Sequence, residues 1–326
     1  MDISKHYSIP DCVARWGNAV SIALFDPACK IFSTPHAEGI IGYRLEAQRL
    51  IVFGDPLCAQ PDMPTLVREF HAHFQPRVKN ILYVAASEKF TDWALQHVCH
   101  AAIHVGNEII IDPAHDPRIG TGKKASDLRR NCSVAARYGI HIHEYTTHNT
   151  ALEKAIEAVG IAWVKARKGP QTYSHPLHIF DGREHKRWFY AQHNEDIVGV
   201  LILNRIDAYQ GWVISFLIAA PGTPTGTSEL LVIAALEALR QEGCTFLSIG
   251  PVPGPALNRI EGLGRFATWF ARNAYNVAKK ALGLGERQRY WKKFKPKTQD
   301  TYIVLSKPHI GIGGVVGIMR AFNARV

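Results

Sequence analysis

The chain has 326 residues, 47% hydrophobic and 20% charged; this excludes a disordered or fibrous protein and suits two domains of about 150 residues. No run approaches the roughly 18 apolar residues of a membrane span, and Met1-Asp2-Ile3-Ser4-Lys5 opens no signal peptide, so the expected location is cytoplasmic. A formal net charge of +10 points to a phosphate-rich partner: nucleic acid, an anionic membrane or a phosphorylated cofactor.

In the first half, short apolar runs predict strands at Cys29–Ser33, Ile40–Leu45 and Leu50–Phe53, the last closed by the turn Gly54-Asp55-Pro56. A helix over Pro64–Phe74 gathers Leu66, Val67, Phe70 and Phe74 on one face. A buried strand at Ile81–Ala85, a helix at Glu88–Val98 and two strands, Ala101–Val105 and Glu108–Ile111, complete the half. A similar order recurs after residue 145. Helix Thr150–Ala166 precedes strands at Trp188–Gln192, Ile197–Asn204 and Trp212–Ile218. Next comes an apolar helix, Ser228–Gln241, stopped by Gly243, then strands Thr245–Ile249 and Tyr302–Ser306. Strand–helix–strand alternation late in each half predicts two α/β units.

Basic residues concentrate in two stretches. Between the halves, Ser126 is the expected N-cap of a helix over Asp127–Tyr138 that ends at Gly139. Lys123 and Lys124 stand at its start, where the helix dipole disfavours cations unless an anion lies between them. Arg129 and Arg137 lie along it with Arg130 beside them, and the set reads as a phosphate site or as a solvated basic helix. The later stretch, Arg259–Lys297, interleaves Arg265, Arg272, Lys279, Lys280, Arg287, Arg289, Lys292 and Lys293 with Phe266, Trp269, Phe270, Tyr275, Tyr290, Trp291 and Phe294. Rings with cations suit an interfacial helix or a nucleic-acid groove, or else the rings are core. The Gly-rich tail Ile310–Met319, followed by Arg320 and Arg325, either inserts shallowly among lipid headgroups or packs on the protein, and packing is the expectation.

Cys12, Cys29, Cys58, Cys99, Cys132 and Cys244 are scattered, with no paired spacing, and read as reduced, mostly buried thiols. The histidine pairs 71/73, 100/104 and 141/143 lack acidic or cysteine partners at ligand spacing, so no metal is expected.

Several motifs form an ordered set: Ile41-Gly42-Tyr43-Arg44, Phe53-Gly54-Asp55-Pro56, Gly106-Asn107-Glu108, and Gly122-Lys123-Lys124 before a Leu-Arg-rich helix ending at Gly139. They continue with Ala220-Pro221, Gly226-Thr227-Ser228-Glu229-Leu230-Leu231, Leu247 to Pro253, and Tyr290-Trp291-Lys292-Lys293-Phe294-Lys295-Pro296. Together they resemble the catalytic domain of bacterial aminoacyl-phosphatidylglycerol synthases, also called phosphatidylglycerol lysyltransferases, over most of the chain. The multi-span membrane domain that precedes this unit in well-known members is not in this sequence. The resemblance implies two tandem acetyltransferase-like (GNAT) folds: residues 1–120, a basic linker helix at 121–139, and 140–326. It also implies transfer of an amino acid from aminoacyl-tRNA to a hydroxyl of phosphatidylglycerol or another lipid at the inner membrane face, with no cofactor besides the charged tRNA. Lys123, Lys124, Arg129, Arg130 and Arg137, with Arg289, Tyr290, Lys292, Lys293 and Phe294, would then meet tRNA or lipid phosphate.

An aminoacyl ester is already activated, so its transfer needs a positioned hydroxyl, a base and donors for the developing oxyanion. Ser248-Ile249-Gly250-Pro251 is placed to offer such donors, or is an ordinary turn after a strand. Glu229 suits an α-amino group or simply the positive start of its helix. Asp55 and Glu108 are the other carboxylate candidates, and none is singled out as the base. Two other transferase readings stand beside this one: aminoacyl-tRNA-dependent extension of a cell-wall peptide, and acetyl-CoA-dependent N-acetylation at the 222–227 loop, which lacks the arginine usual for that cofactor.

Overall fold

A computed structural model describes residues 7–166, 179–281 and 289–323. Met1 to Lys5, Arg287 and Arg325, which figure in the sequence patterns above, lie outside the described residues, as does the side chain of Lys280.

The chain opens with helix α1 (Ile9–Trp16), capped by Ser8, whose hydroxyl accepts from the Asp11 N–H; its buried Cys12, Val13 and Ala14 anchor it. A 3-10 turn at Ser21–Phe25 follows. Strands β1 (Lys30–Thr34), β2 (Ala37–Glu46) and β3 (Arg49–Phe53) form an antiparallel meander, and the short β4 (Leu57–Cys58) pairs with β2. Helix α2 (Met63–Phe74) carries the chain over to β5 (Asn80–Ser87), which runs parallel to β3. Leu66, Val67 and Phe70 of α2 are fully buried under the sheet. Helix α3 (Glu88–His97) then leads to β6 (Ala101–Ile111).

The second half repeats this plan. After α4 (Lys123–Arg137), strands β7 (Ile140–Tyr145), β8 (Lys186–His193), β9 (Asp196–Ile206) and β10 (Gly211–Ala219) pair antiparallel in sequence, with α5 (Thr150–Ala166) packed on β9 and β10. Helix α6 (Thr227–Gln241) returns the chain to β11 (Leu247–Pro253), parallel to β10. The short β12 (Ile260–Glu261), α7 (Arg265–Ala281), β13 (Lys297–Leu305) and α8 (Gly311–Ala321) follow. Two copies of a meander, a crossover helix and a parallel strand pair make this a mixed α/β fold.

The halves are joined by exchanged strands. The sheet order is β1-β2-β3-β5-β13-β6-β11-β10-β9-β8-β7. Strand β13, last in sequence, pairs with β5 and β6 of the first half, while β6 pairs with β11 of the second. All described strands thus join one 13-stranded sheet.

Three expectations are corrected. Residues 101–105 and 108–111 form one strand: Gly106, at φ +155, lies where an added Cβ would fall 2.2 Å from the Val252 carbonyl, so the glycine lets β11 approach without breaking β6. The linker helix starts at Lys123 with Gly122 as N-cap, and Ser126 lies inside its first turn, where its N–H donates to Gly122 O. Lys–Lys–Ala favours helix strongly enough to extend it one turn upstream. The final β-strand begins at Lys297 rather than Tyr302 because β6 offers pairing along its length. The Gly-rich tail folds as α8, packed on β2 and β3 as expected. Among the described residues, no helix is long and apolar enough to cross a membrane.

Candidate active site

Strands β10 and β11 stay paired for only two positions, Trp212 with Leu247 and Val213 with Ser248. Beyond them the strands part. Strand β10 slips its register against β9 between Ile214 and Phe216, and β11 slips against β6 between Ser248 and Gly250. Bulges of this kind re-aim side chains and free backbone groups at one point of a sheet. Gly250 adopts φ +87, a left-handed conformation that favours glycine.

At this opening Ser248, fully buried, donates its hydroxyl to Glu108 Oε1 at 2.5 Å. The Gly250 N–H donates to Ser248 Oγ at 3.0 Å. That N–H is therefore committed to orienting the serine, which corrects its expected place among the acyl-facing donors. Burial raises the Glu108 carboxyl above its ordinary range; the hydrogen bond from Ser248 opposes this and the negative charge of Asp55 reinforces it. Glu108 reaches the second half's opening because β6 is the exchanged strand.

The first half has the matching opening at the ends of β3 and β5, where Gly54 N–H still donates to Val84 O at 2.8 Å. Asp55 fills it, accepting from the Ser87 N–H at 2.8 Å and the Ser87 hydroxyl at 2.6 Å. Burial raises the Asp55 carboxyl, partly offset by these two bonds. Ser87 also caps α3, accepting from the Phe90 N–H. A cavity of about 40 Å³ beside Asp55 is lined by Pro56, Cys58, Met63 and Phe90 among others. A larger groove of about 480 Å³, lined by Tyr43, Leu50 and Phe74 with Lys30, Arg77 and Lys79 at its rim, contains none of these groups.

Two elements not anticipated from sequence complete the site. The segment after α1 runs beside both openings: a Cβ on Gly250 would meet Ala19, and one on Gly54 would meet Val20 and Asn18. Tyr209, in the turn between β9 and β10, keeps 42% of its surface exposed, yet burial pushes its hydroxyl up to about 12, with the charges of Glu108 and Asp55 adding to the effect. It stays a proton donor at neutral pH. A lone tyrosine in a turn gives no sequence signal of such a place.

Glu229 stands elsewhere, in the first turn of α6, buried, where Oε1 accepts from Lys293 Nζ at 2.7 Å and Asn131 Nδ2 at 2.9 Å. This ties α4, α6 and the 292–294 turn together and leaves Glu229 engaged rather than open to an α-amino group. Lys293 lies 3.8 Å from the centroid of the Tyr290 ring, so it is a tether rather than a free phosphate ligand. Phe294 is 2% exposed and packs with Tyr290 and Trp291 in the second-half core; its expected contact with tRNA or lipid is corrected to a packing role. Asn131 gives no sequence signal of this role, although it borders the apolar stripe of Leu128, Cys132 and Ala135.

The basic helix presents Lys123, Lys124, Arg129, Arg130 and Arg137 on its exposed side, and Arg289 and Lys292 are exposed as well. The loop before it is fixed: Arg129 donates to the carbonyls of Arg118 and Gly120, Lys295 donates to Ile119 O at 2.8 Å, and Arg118 pairs with Asp116 at 2.8 Å. Arg129 thus holds the loop that offers Lys123 and Lys124. Arg130 pairs loosely with Asp127 at 3.4 Å, and Arg137 donates to Ser133 O. The six cysteines are all free, and among the described residues no cluster of His, Cys, Asp or Glu is arranged to hold a metal.

Two α/β halves with matched strand openings, one of them holding a hydrogen-bonded serine and carboxylate, define a double-unit α/β fold with one candidate centre. The chain belongs to the family of phosphatidylglycerol lysyltransferase C-terminal domains, whose model matches residues 18–305. It is 23% identical over 305 residues to the phosphatidylglycerol lysyltransferase of Bacillus subtilis (strain 168), covering 90% of this chain but only 34% of that protein. The structure of L-PGS from Bacillus licheniformis is similar, with a TM-score of 0.77 at 18% identity, covering 96% of this chain and 94% of that one. So is a C-terminal domain (DUF2156) from Agrobacterium fabrum described as of a lysylphosphatidylglycerol synthetase, with a TM-score of 0.74, 16% identity and 96% of each chain covered.

Proposed function

We propose that this protein transfers an amino acid from aminoacyl-tRNA to a hydroxyl of phosphatidylglycerol or a related membrane lipid, working peripherally at the cytoplasmic face of the membrane. The observation that carries this reading is the family match across residues 18–305. Glu108 takes the proton of the lipid hydroxyl, directly or through Ser248. The alkoxide attacks the ester carbonyl, and a tetrahedral intermediate forms whose oxyanion requires backbone donors near the point where β10 and β11 part. Its collapse breaks the bond to the tRNA ribose oxygen, which recovers the proton from Glu108 by the same route, direct or through Ser248, so that both side chains end as they began. No redox or phosphoryl step is required.

Burial that raises the Glu108 carboxyl makes it a stronger base when ionised, which suits a group that must both accept and return a proton. The exposed Lys123 and Lys124 at the start of α4, with Arg130, suit the tRNA backbone. The start of α6 fits an acyl-CoA poorly. Its Gly226 approaches Asn131 so closely that an added Cβ would fall 1.9 Å from the Asn131 carbonyl, and Glu229 holds a negative charge where a pyrophosphate would sit.

The test is to supply purified protein with tRNA charged with radiolabelled amino acids and a lipid extract, then follow label into the organic phase. The expected result is an alkali-labile labelled lipid whose formation RNase abolishes. Failure with every amino acid and several extracts, while label enters a soluble cell-wall precursor or acetyl groups pass from acetyl-CoA, overturns the proposal.

A further inference from the structure

Helix α7 turns three large apolar side chains to solvent. Phe266, Trp269 and Val277 are 79%, 59% and 68% exposed. Their spacing, with Asn273 between them, puts them along one side of the helix, and the Phe266 and Trp269 rings stack at 5.9 Å. Arg265 and Arg272 are exposed beside them, and the helix contains no acidic residue. Its opposite side is fastened to the protein. Ala271 is buried, and the Tyr275 hydroxyl donates to Gly254 O at 2.7 Å, with Val105 O at 3.1 Å. Helix α8 packs beside it, also without an acidic residue, with Ile312 72% exposed and Arg320 exposed.

Exposed aromatic and aliphatic side chains on a helix bearing only positive charge match the outer layer of an anionic bilayer, where rings sit at the headgroup boundary and arginines meet lipid phosphate. Single-stranded RNA fits less well: it needs rings free to stack on bases, whereas here two rings stack on each other, and Val277 and Ile312 offer neither stacking nor hydrogen bonds. The position suits delivery of a lipid. Val105 lies three residues before Glu108 on β6, roughly 10 Å along the strand, and Gly254 immediately follows β11, which carries Ser248.

We infer that the exposed face of α7, built on Phe266, Trp269 and Val277 with Arg265 and Arg272, docks the protein on an anionic lipid surface and brings lipid headgroups to the Ser248–Glu108 opening. This deepens the proposed function and rests on it for the identity of the acceptor.

The full chain is tested by flotation with vesicles of phosphatidylcholine alone or containing about one third phosphatidylglycerol, without tRNA or amino acid. Wild type floats with the anionic vesicles, and F266S/W269S loses roughly tenfold or more of that binding. R265E/R272E weakens it and removes the preference for anionic lipid. Brominated acyl chains quench wild-type fluorescence more than that of W269F, and F266S/W269S keeps its thermal melt and its affinity for tRNA. The inference is overturned if F266S/W269S binds vesicles as wild type does, or if it loses tRNA binding with vesicle binding intact. Vesicle docking through α7 in a protein that transfers no amino acid to any lipid would sink the functional proposal alone; lipid aminoacylation with docking indifferent to α7 would sink this inference alone.

Discussion

Ser248 on β11 and Glu108 on β6 share a hydrogen bond of 2.5 Å across two strands that belong to different halves of the sequence. The hydroxyl is held from the other side by the Gly250 N–H, so both its direction and its partner are set before substrate arrives. Replacing Glu108 by Gln keeps the shape and one hydrogen bond but removes the proposed base. Glu108→Gln is expected to lower kcat by roughly 10²- to 10³-fold with little change in KM, while Ser248→Ala costs less if the carboxylate reaches the lipid hydroxyl directly. Steady-state kinetics, with circular dichroism to check folding, measure both. Wild-type kcat in Glu108→Gln would remove it from the chemistry.

The pH dependence has a definite sign. Burial, with help from Asp55, raises the Glu108 carboxyl. A base is competent only when ionised, so the rate must climb as pH passes upward through that raised value. Asp55→Asn removes a neighbouring negative charge, lowers the Glu108 value and shifts the acidic limb of the kcat profile to lower pH. A profile unmoved in Asp55→Asn would mean that the two carboxyls are not coupled, or that Glu108 does not limit the rate.

Much of this architecture is legible in the chain, and the failures have physical causes. Helix Thr150–Ala166 and the helix starting near Ser228 coincide with α5 and α6 because their apolar residues recur at helical spacing. Strand exchange has no local signature: Tyr302–Ser306 reads as a strand, but nothing in it says that β5 and β6 of the first half are its neighbours. The same blindness separates Glu108 from Ser248, which are 140 positions apart. Charge type misled at Lys293 and Glu229, since a basic residue in a basic stretch looks like a phosphate ligand until its buried partner is seen. Aromatic residues in the late stretch divide by burial alone, with Trp291 and Phe294 in the core and Phe266 and Trp269 at the surface.

The Lys293–Glu229 pair is 17% and 8% exposed at its two side chains. Removing one partner of a buried pair leaves a charge without compensation. Lys293→Met should cost about 3 kcal/mol, the Asn131 amide retaining one bond to the carboxylate. Adding Glu229→Gln should recover part of that loss. Urea unfolding of the two single variants and the double variant decides it: a double variant as unstable as the sum of the singles would show that the pair carries no coupling.

Lys123 and Lys124 are exposed at the first positions of α4, with no side-chain cap on the helix start. Their mutual repulsion and the helix dipole are both relieved by a bound phosphate. Lys123→Glu/Lys124→Glu should therefore raise KM for charged tRNA roughly tenfold and lessen the salt dependence of tRNA binding by about one unit of slope for each phosphate no longer neutralised. Stability should stay within about 0.5 kcal/mol. Filter binding at several salt concentrations reads the slope. An unchanged slope would place the tRNA backbone on another surface.

Acetyl-CoA should not bind at the start of α6. In a phosphate-binding helix start, backbone N–H groups face outward and accept an anion. Here Gly226, at φ +99, sits so tightly against α4 that the Asn131 carbonyl occupies the space beside it, and the first turn of α6 buries its own carboxylate at Glu229. A pyrophosphate would have to displace α4 and approach a negative charge already neutralised by Lys293. Ligand bound to the folded protein raises its melting temperature with the logarithm of ligand concentration above Kd, so acetyl-CoA at about millimolar concentration should leave the thermal melt unmoved, whereas charged tRNA should raise it. A clear upward shift with acetyl-CoA, accompanied by acetyl transfer to an amine, would mean that α4 gives way at Gly226 and would restore the acetyltransferase reading.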